Sequence, residues 1–234
     1  MTTSVAMLFD LDGTLIHSAE DIAMAANRML VKVGRPEVRL EQVEQWIGHG
    51  VERLVHRCLT GLQDGEADAA AAKAAIEVFR GEYLQTGFTR TRIADGAFEV
   101  LDALANAGFP CAIVTNKPHI PTWAILEKYQ FTDRFEAVVC GDTLELSKPS
   151  AAPLEHALLA CAADSGWMVG DSETDAAASG AAGLPFIAIR GGYGQESNPE
   201  HFSTRPALVI ESLRDLLDPG GSPLEMLARP SAFS

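Results

Sequence analysis

The sequence predicts an α/β protein: a doubly wound parallel sheet with helices on both faces, interrupted by an inserted all-helical segment. Three observations carry this expectation. Short apolar runs of strand length recur along the chain, each stopping at, or one loop before, a cluster of polar residues. Stretches of helical periodicity separate those runs, the alternation that parallel strand–helix–strand units require. Residues 18–87 show helical patterning and no strand signal, and they stand between the first run and the others. The expected organisation is a Rossmann-like core over residues 1–17 and 88–218, a helical cap domain over 18–87, and a loosely ordered Pro-, Gly- and Ser-rich tail over 219–234.

The first apolar run, Val5 to Leu8, leads into Phe9-Asp10-Leu11-Asp12-Gly13-Thr14-Leu15. Ligands of open α/β sheets bind beyond the carboxyl ends of the strands, so a strand stopping at Asp10 and Asp12 aims two acids into that crevice. Their i, i+2 spacing puts both on one face of an extended segment, and Gly13 lets the chain turn closely around a bound group. One carboxylate can attack while the other shuttles a proton, as in chemistry that passes through an aspartyl phosphate. Two acids this close also suit a hard divalent cation such as Mg2+. An EF-hand loop is excluded, because it needs an acid or amide at 14 and Gly at 15, where Thr14 and Leu15 stand. Read alone, Asp12-Gly13 also fits a plain hairpin turn.

Ser18 and Asp21 fit a capping box that opens the first helix of the insert. Its stripe is Ile22, Ala26, Met29, Leu30 and Val33, stopped by Gly34 and Pro36. Val51, Leu54, Val55, Cys58 and Leu59 form a second stripe, and Ile76, Phe79 and Tyr83 a third. The alanine-rich stretch Ala67 to Ala75 reads as strong helix propensity. Between helices lies the tight loop Trp46-Ile47-Gly48-His49-Gly50. His49 and Gly50, with Arg53 one turn into the next helix, are candidates to reach down to a substrate; an ordinary inter-helix turn fits the same residues. A helical insert placed directly after a nucleophile loop reads as a cap that closes over the site and excludes water.

Alternating elements resume after residue 94. Asp95 can cap a helix with the stripe Phe98, Leu101 and Leu104, ended by Gly108. The strand Cys111–Val114 stops at Thr115-Asn116-Lys117, and Pro118 suits the first turn of the next helix. The strand Glu136–Cys140 is followed, one loop later, by Lys148-Pro149. Trp167–Val169 stops at Gly170-Asp171-Ser172-Glu173-Thr174-Asp175. A small-residue helix, the strand Phe186–Ile189 and a last strand near Leu208–Ile210 complete the core. On a parallel sheet all these polar clusters converge with Asp10 and Asp12 on one edge.

As they stand here, FDLDGTL, VTN, SKP and GDSETD resemble, in order and spacing, the motifs of the haloacid dehalogenase superfamily of phosphotransferases, and the resemblance spans nearly the whole chain. It implies that Asp10 is the nucleophile and Asp12 the general acid and base, that Asp10, the Asp12 carbonyl and Asp171 hold Mg2+, and that Thr115, Asn116 and Lys148 bind the phosphoryl oxygens. Ser172 and Asp175 would support the metal site from behind. Within the superfamily, WIGHG, TNKP, SKPSAAPLEHAL and RGGYG are similar to the phosphoglycolate phosphatase branch, which implies a small phosphorylated metabolite, most simply 2-phosphoglycolate. His17 and His49 depart from that branch, which usually has Asp and often Asn there. The alternatives are a phosphatase for sugar phosphates or another small organophosphate, a sugar-phosphate mutase, or an idle binding relative. The resemblance also implies that Asp12 argues against a dehalogenase. A phosphonate hydrolase would need a cap lysine, for which Lys32 and Lys73 are the available residues.

Composition sets further bounds. The 234 residues, 47% of them apolar, suffice for a packed core. The formal net charge of −14 argues against nucleic acid as substrate. Cys58, Cys111, Cys140 and Cys161 form no Cys-x-x-Cys pair and read as buried thiols of a cytoplasmic protein. The N-terminus does not read as a signal peptide, and no apolar stretch approaches the ~20 residues of a membrane span. A monomer or a homodimer fits equally.

Overall fold

The structure of the protein, a computed structural model, describes residues 4–194 and 198–217. In chain order its elements are β1 (Val5–Phe9), β2 (Ile16–His17), α1 (Ala19–Lys32), α2 (Leu40–Trp46), α3 (Gly50–Thr60), α4 (Ala69–Gln85), β3 (Arg92–Ile93), α5 (Ala97–Asn106), β4 (Cys111–Val114), α6 (His119–Lys128), β5 (Ala137–Val139), α7 (Ala152–Ala160), β6 (Ser165–Gly170), α8 (Glu173–Ala181), β7 (Phe186–Ile189) and β8 (Leu208–Ile210). The tail expected over 219–234 lies outside the described residues.

Six strands form one parallel sheet in the order β5-β4-β1-β6-β7-β8. Alternation along β1 explains why it is apolar throughout. Val5, Met7 and Phe9 enter one buried cluster, which continues into the helical insert, and Ala6 and Leu8 enter a second, with Leu154 of α7 and Ala176 of α8. A parallel strand covered on both faces reads as an unbroken hydrophobic run. Neighbours β4 and β6 flank β1 in register, with Met7 beside both Cys111 and Trp167, so β1 is central and its carboxyl end sits at the middle of the edge.

Helices α1 to α4 occupy the span between β2 and β3, with α1 packed along α4 and α4 against α3. The ladder β2–β3, which joins this helical unit to the sheet, is an element the sequence did not predict: Ile16 pairs with Ile93 and His17 with Arg92, antiparallel. Two-residue strands are too short for any periodicity to register.

Two expected caps take other roles. Ser18 makes no side-chain cap; its hydroxyl donates to the Asp12 carboxylate instead. Asp21 is fully buried and accepts from the amides of Arg90 (3.0 Å) and Thr91 (2.6 Å) and from the Thr91 hydroxyl (2.8 Å), tying α1 to the segment returning from α4. Asp95 does not cap α5, whose N-cap is Gly96; it forms an ion pair with Arg214 at 3.1 Å. The alanine-rich helix does carry an acid cap, with Asp68 accepting from Ala70 and Ala71. All four cysteines are buried and unpaired. Among the described residues, no helix is long and apolar enough to cross a membrane.

Candidate active site

The Asp10 amide donates to the Val169 carbonyl at 2.9 Å, extending the β1–β6 pairing by one residue and setting Asp10 beside the loop after β6. The chain then reverses through Gly13 at φ +97°, where a Cβ would lie 2.2 Å from Asp171 Oδ2. Glycine is required there for both conformation and space. From the turn, the Thr14 hydroxyl donates to Asp171 Oδ1 at 2.9 Å, and the Tyr193 amide donates to Asp171 Oδ2 at 2.7 Å. Asp171 is thus held on both oxygens. Gly192 allows that approach, since a Cβ on it would fall 2.2 Å from Asp171.

Two buried lysines divide the remaining acids between them. Lys148 Nζ donates to Asp10 Oδ1 at 2.7 Å and to Asp175 Oδ1 at 2.6 Å. Lys117 Nζ donates to both oxygens of Asp12 at 2.8 Å. Asp175 is completed by the Ser172 amide at 3.2 Å and hydroxyl at 2.6 Å, a capping box that also starts α8. Gly170 makes room for Asp175, whose Cγ would sit 2.5 Å from a Cβ at that position.

Burial is the dominant electrostatic cost of this cluster. It raises the Asp10 carboxyl to about 7 from an ordinary 3.8; Lys148 opposes the rise, while Asp175 and Asp12 add to it. Burial likewise pushes Asp171 well above the carboxylate range, reinforced by Asp10 and Asp175. For the lysines burial alone would lower the ammonium, yet the carboxylates of Asp10 and Asp175 around Lys148, and Asp12 beside Lys117, prevail and raise both.

Carboxylate oxygens of Asp10, Asp171 and Asp175 lie within 4.8 Å of one another, close enough to share a cation. Lys148 and Ser172 already engage both oxygens of Asp175. Asp171 is also engaged on both oxygens, but only by the neutral donors of Thr14 and Tyr193, and Asp10 meets Lys148 through Oδ1, so these two are the candidates to hold a metal while Asp175 braces the lysine. The Asp12 carboxylate is taken up by Lys117 and Ser18.

Thr115 and Asn116, at the end of β4, line the same cavity. Asn116 is more brace than donor: its Nδ2 donates to the carbonyls of Gly48 and Lys148, both at 3.0 Å, and its Oδ1 accepts from the Lys148 amide. Through the Gly48 bond it ties the inter-helix loop of the insert to the core. The Thr115 hydroxyl accepts from the Lys117 amide at 3.2 Å, which leaves its proton for another acceptor.

These residues form the floor of a cavity of about 260 Å³ between the sheet edge and the helical insert. The insert covers it with Ile22, Ile47, Val51, Leu54, Phe79 and Leu84. Of the three insert residues expected to reach the substrate, the structure brings only Gly50 to the cavity, together with Gly48. His49 is exposed at the start of α3, outside the lining. Arg53 turns away, paired with Glu66 at 2.5 Å and Asp64 at 3.1 Å. The face of α3 turned to the cavity carries Val51 and Leu54, and Arg53, adjacent to Leu54 in sequence, falls on another face and pairs there with Asp64 and Glu66.

Sequence reasoning missed Lys117, Thr14, Ser18, Tyr193, Arg80 and Tyr83 as site residues. Thr14, Lys117 and Tyr193 stood within FDLDGTL, TNKP and RGGYG; Ser18 read as a cap and Tyr83 as part of a buried stripe, and Arg80 gave no signal, because the neighbours of these three are set by long-range packing.

The haloacid dehalogenase-like hydrolase family matches residues 7–189 of this chain. A phosphoglycolate phosphatase of Nitrosospira multiformis is 40% identical over 192 residues, covering 81% of this chain and 85% of that protein. One of Colwellia psychrerythraea is 37% identical over 215 residues, covering 90% and 94%. The crystal structure of a predicted phosphoglycolate phosphatase from Haemophilus somnus superposes with a TM-score of 0.84 at 27% identity, covering 93% of this chain and 98% of that one. With that match across the described core, and with the acids and lysines of the four motifs converging on one cavity, the chain belongs to the haloacid dehalogenase-like hydrolases and is an enzyme of that family.

Proposed function

We propose that the chain is a phosphomonoester hydrolase that depends on a divalent cation, of which Mg2+ is the natural choice, and acts on 2-phosphoglycolate in the cytoplasm. The observation that carries this reading is the pairing of four acids with two lysines on one cavity floor: Asp10 and Asp175 on Lys148, Asp12 on Lys117, and Asp171 between them. Four carboxylates less two ammonium groups leave two negative charges, the complement of one divalent cation. Burial first, and the neighbouring acids after it, hold the Asp10 and Asp171 carboxyls above the ordinary range, a cost that a bound cation would relieve. Asp10, Asp171 and the Asp12 carbonyl would hold the cation, which when bound neutralises charge on the transferring phosphoryl group.

The residues of the chain divide the chemistry as follows. A carboxylate oxygen of Asp10 attacks phosphorus, forming an aspartyl phosphate as the bond to the glycolate oxygen breaks. Asp12 gives that oxygen a proton, then takes one from the water that attacks the intermediate and frees phosphate. Ser18 and Lys117 hold the Asp12 side chain for both transfers. Lys148, the Thr115 hydroxyl and amides near Asn116 supply donors to the equatorial oxygens, charge stabilisation being the main demand of phosphoryl transfer. Asp175 and Ser172 keep Lys148 and the β6 loop in place.

The identity of the relatives named above and the small cavity support 2-phosphoglycolate, since about 260 Å³ falls below the usual ~300–1,000 Å³ of pockets for larger ligands. The test is phosphate release with Mg2+ from 2-phosphoglycolate, sugar phosphates, nucleotides and pyrophosphate, compared by kcat/KM, with excess chelator as control. A preference for 2-phosphoglycolate that chelator abolishes is the expected result. A preference for sugar phosphates would retire the substrate and keep the chemistry; full turnover in chelator would retire both.

A further inference from the structure

The insert wall of the cavity is apolar or glycine except at two positions one turn apart on α4, Arg80 and Tyr83. The phosphate-binding candidates are on the opposite wall, so whatever polar recognition the side chains of the insert give the organic part of the substrate comes from these two. The Tyr83 hydroxyl is buried and interacts with the Lys117 ammonium, itself a donor, so among the described residues its own proton meets no acceptor. Its ring stacks on Phe79 at 5.8 Å, meets Phe88 edge-on at 5.2 Å, and carries Lys117 Nζ 4.8 Å from its centroid, which fixes it within reach of the acid pair. A buried O–H donor without an acceptor costs stability, and a ligand oxygen would satisfy it.

Arg80 is half exposed and spans α3 and α4, pairing with Glu52 at 3.1 Å and Glu77 at 2.8 Å. Glu52 lies against the glycine loop, with Oε2 3.7 Å from where a Cβ of Gly50 would stand, and that same point is 3.9 Å from the Asn116 carbonyl. The ion pair therefore sits at the rim, where insert and core meet. Both glutamates are more than 60% exposed, and exposed pairs of this kind are weak and exchange readily. The guanidinium fork matches a carboxylate in two parallel hydrogen bonds.

We infer that Arg80 and Tyr83 are the specificity-determining residues for the substrate's carboxylate: Arg80 exchanges its glutamates for that group, and the Tyr83 hydroxyl donates to a substrate oxygen nearer the phosphoryl site. This deepens the 2-phosphoglycolate reading and rests on it. It also stands in place of the expectation that His49 and Arg53 reach down to the substrate. Tyr83 and Arg80, three residues apart, share one face of α4, so a single helix movement would deliver or withdraw both.

The experiment compares full-length wild type with Arg80→Gln, Arg80→Lys and Tyr83→Phe in Mg2+, on 2-phosphoglycolate and on ethyl phosphate, which carries a methyl in place of the carboxylate. The readout is the ratio of the two kcat/KM values. Arg80→Gln should lower it by about tenfold to a hundredfold, the usual loss for a hydrogen bond to a charged group; Tyr83→Phe should lower it less, and Arg80→Lys should restore part. An unchanged ratio in Arg80→Gln, with the wild type still preferring 2-phosphoglycolate, overturns this inference and leaves the substrate standing. A wild type without that preference overturns the substrate reading and this inference with it. If Arg80→Gln fails to fold, the double change Glu52→Gln and Glu77→Gln decides. Freeing Arg80 should lower KM for 2-phosphoglycolate severalfold and leave ethyl phosphate behind, and no change in KM refutes the exchange.

Discussion

Replacing Asp10 by Asn should abolish turnover and yet stabilise the metal-free protein. In the folded state the Asp10 carboxyl is held at about 7 against an ordinary 3.8, because burial outweighs the Lys148 ammonium and the nearby acids add like charge. Between those values the folded protein keeps a proton that the unfolded chain has released. Stability of the metal-free protein therefore falls as pH rises through that window and stays low above it. The whole difference is worth about 4 kcal/mol, and relaxation and water entry into an open cavity leave about 2–4. Asn removes the charge, keeps the volume and still offers an oxygen to Lys148, which retains Asp175. At about 2–4 °C per kcal/mol for a chain of this length, the variant's midpoint at about pH 8 should lie roughly 5–10 °C above wild type. The gap should close as pH falls toward about 4.5, and also when saturating Mg2+ supplies the missing charge to the wild type. Thermal melts in chelator across that pH range measure it. A variant no more stable than wild type at about pH 8, or a gap that does not shrink with acid, would refute burial as the force governing Asp10.

Lys117→Met keeps the buried stem and removes the charge that Asp12 depends on; breaking such a pair costs about 3–5 kcal/mol, read by urea unfolding. The same change should lower kcat by about a hundredfold on every phosphomonoester, and a loss under threefold would remove Lys117 from the proton-transfer step. Gly192→Ala forces a Cβ within 2.2 Å of Asp171, so the Mg2+ concentration for half-maximal activity should rise by about tenfold or more. Arg53→Ala should leave kcat/KM within about twofold and cost under about 1 kcal/mol, its partners being exposed. A tenfold drop in kcat/KM would return Arg53 to the substrate.

The placement of the candidate catalytic residues is local in character, and so the sequence by itself pointed to it. A central parallel strand is apolar at every position, and the chain just past its end enters the crevice. Asp10, Thr115 and Asp171 stand at or next to such ends, Asp12 within the turn after β1 and Lys148 one loop beyond β5, and all five line the cavity. The helical nature of residues 18–87 was legible from periodicity. What only the tertiary structure decided is which acid meets which cation. Lys117 stands just past β4 and Lys148 one loop beyond β5, and nothing in their spacing assigns Asp12 to one and the Asp10–Asp175 pair to the other. Ser18 and Asp21 show the same limit: a capping-box pattern matched them locally, but Asp12 lay in range of the hydroxyl and the Arg90–Thr91 backbone in range of the carboxylate. The face that the insert turns to the substrate was beyond reach for a further reason. A stripe on an amphipathic helix says which side is buried, whereas the choice of Arg80 and Tyr83 over His49 and Arg53 depends on how four helices pack on each other and on the β2–β3 ladder. That packing is a property of contacts tens of residues apart, which no local pattern encodes.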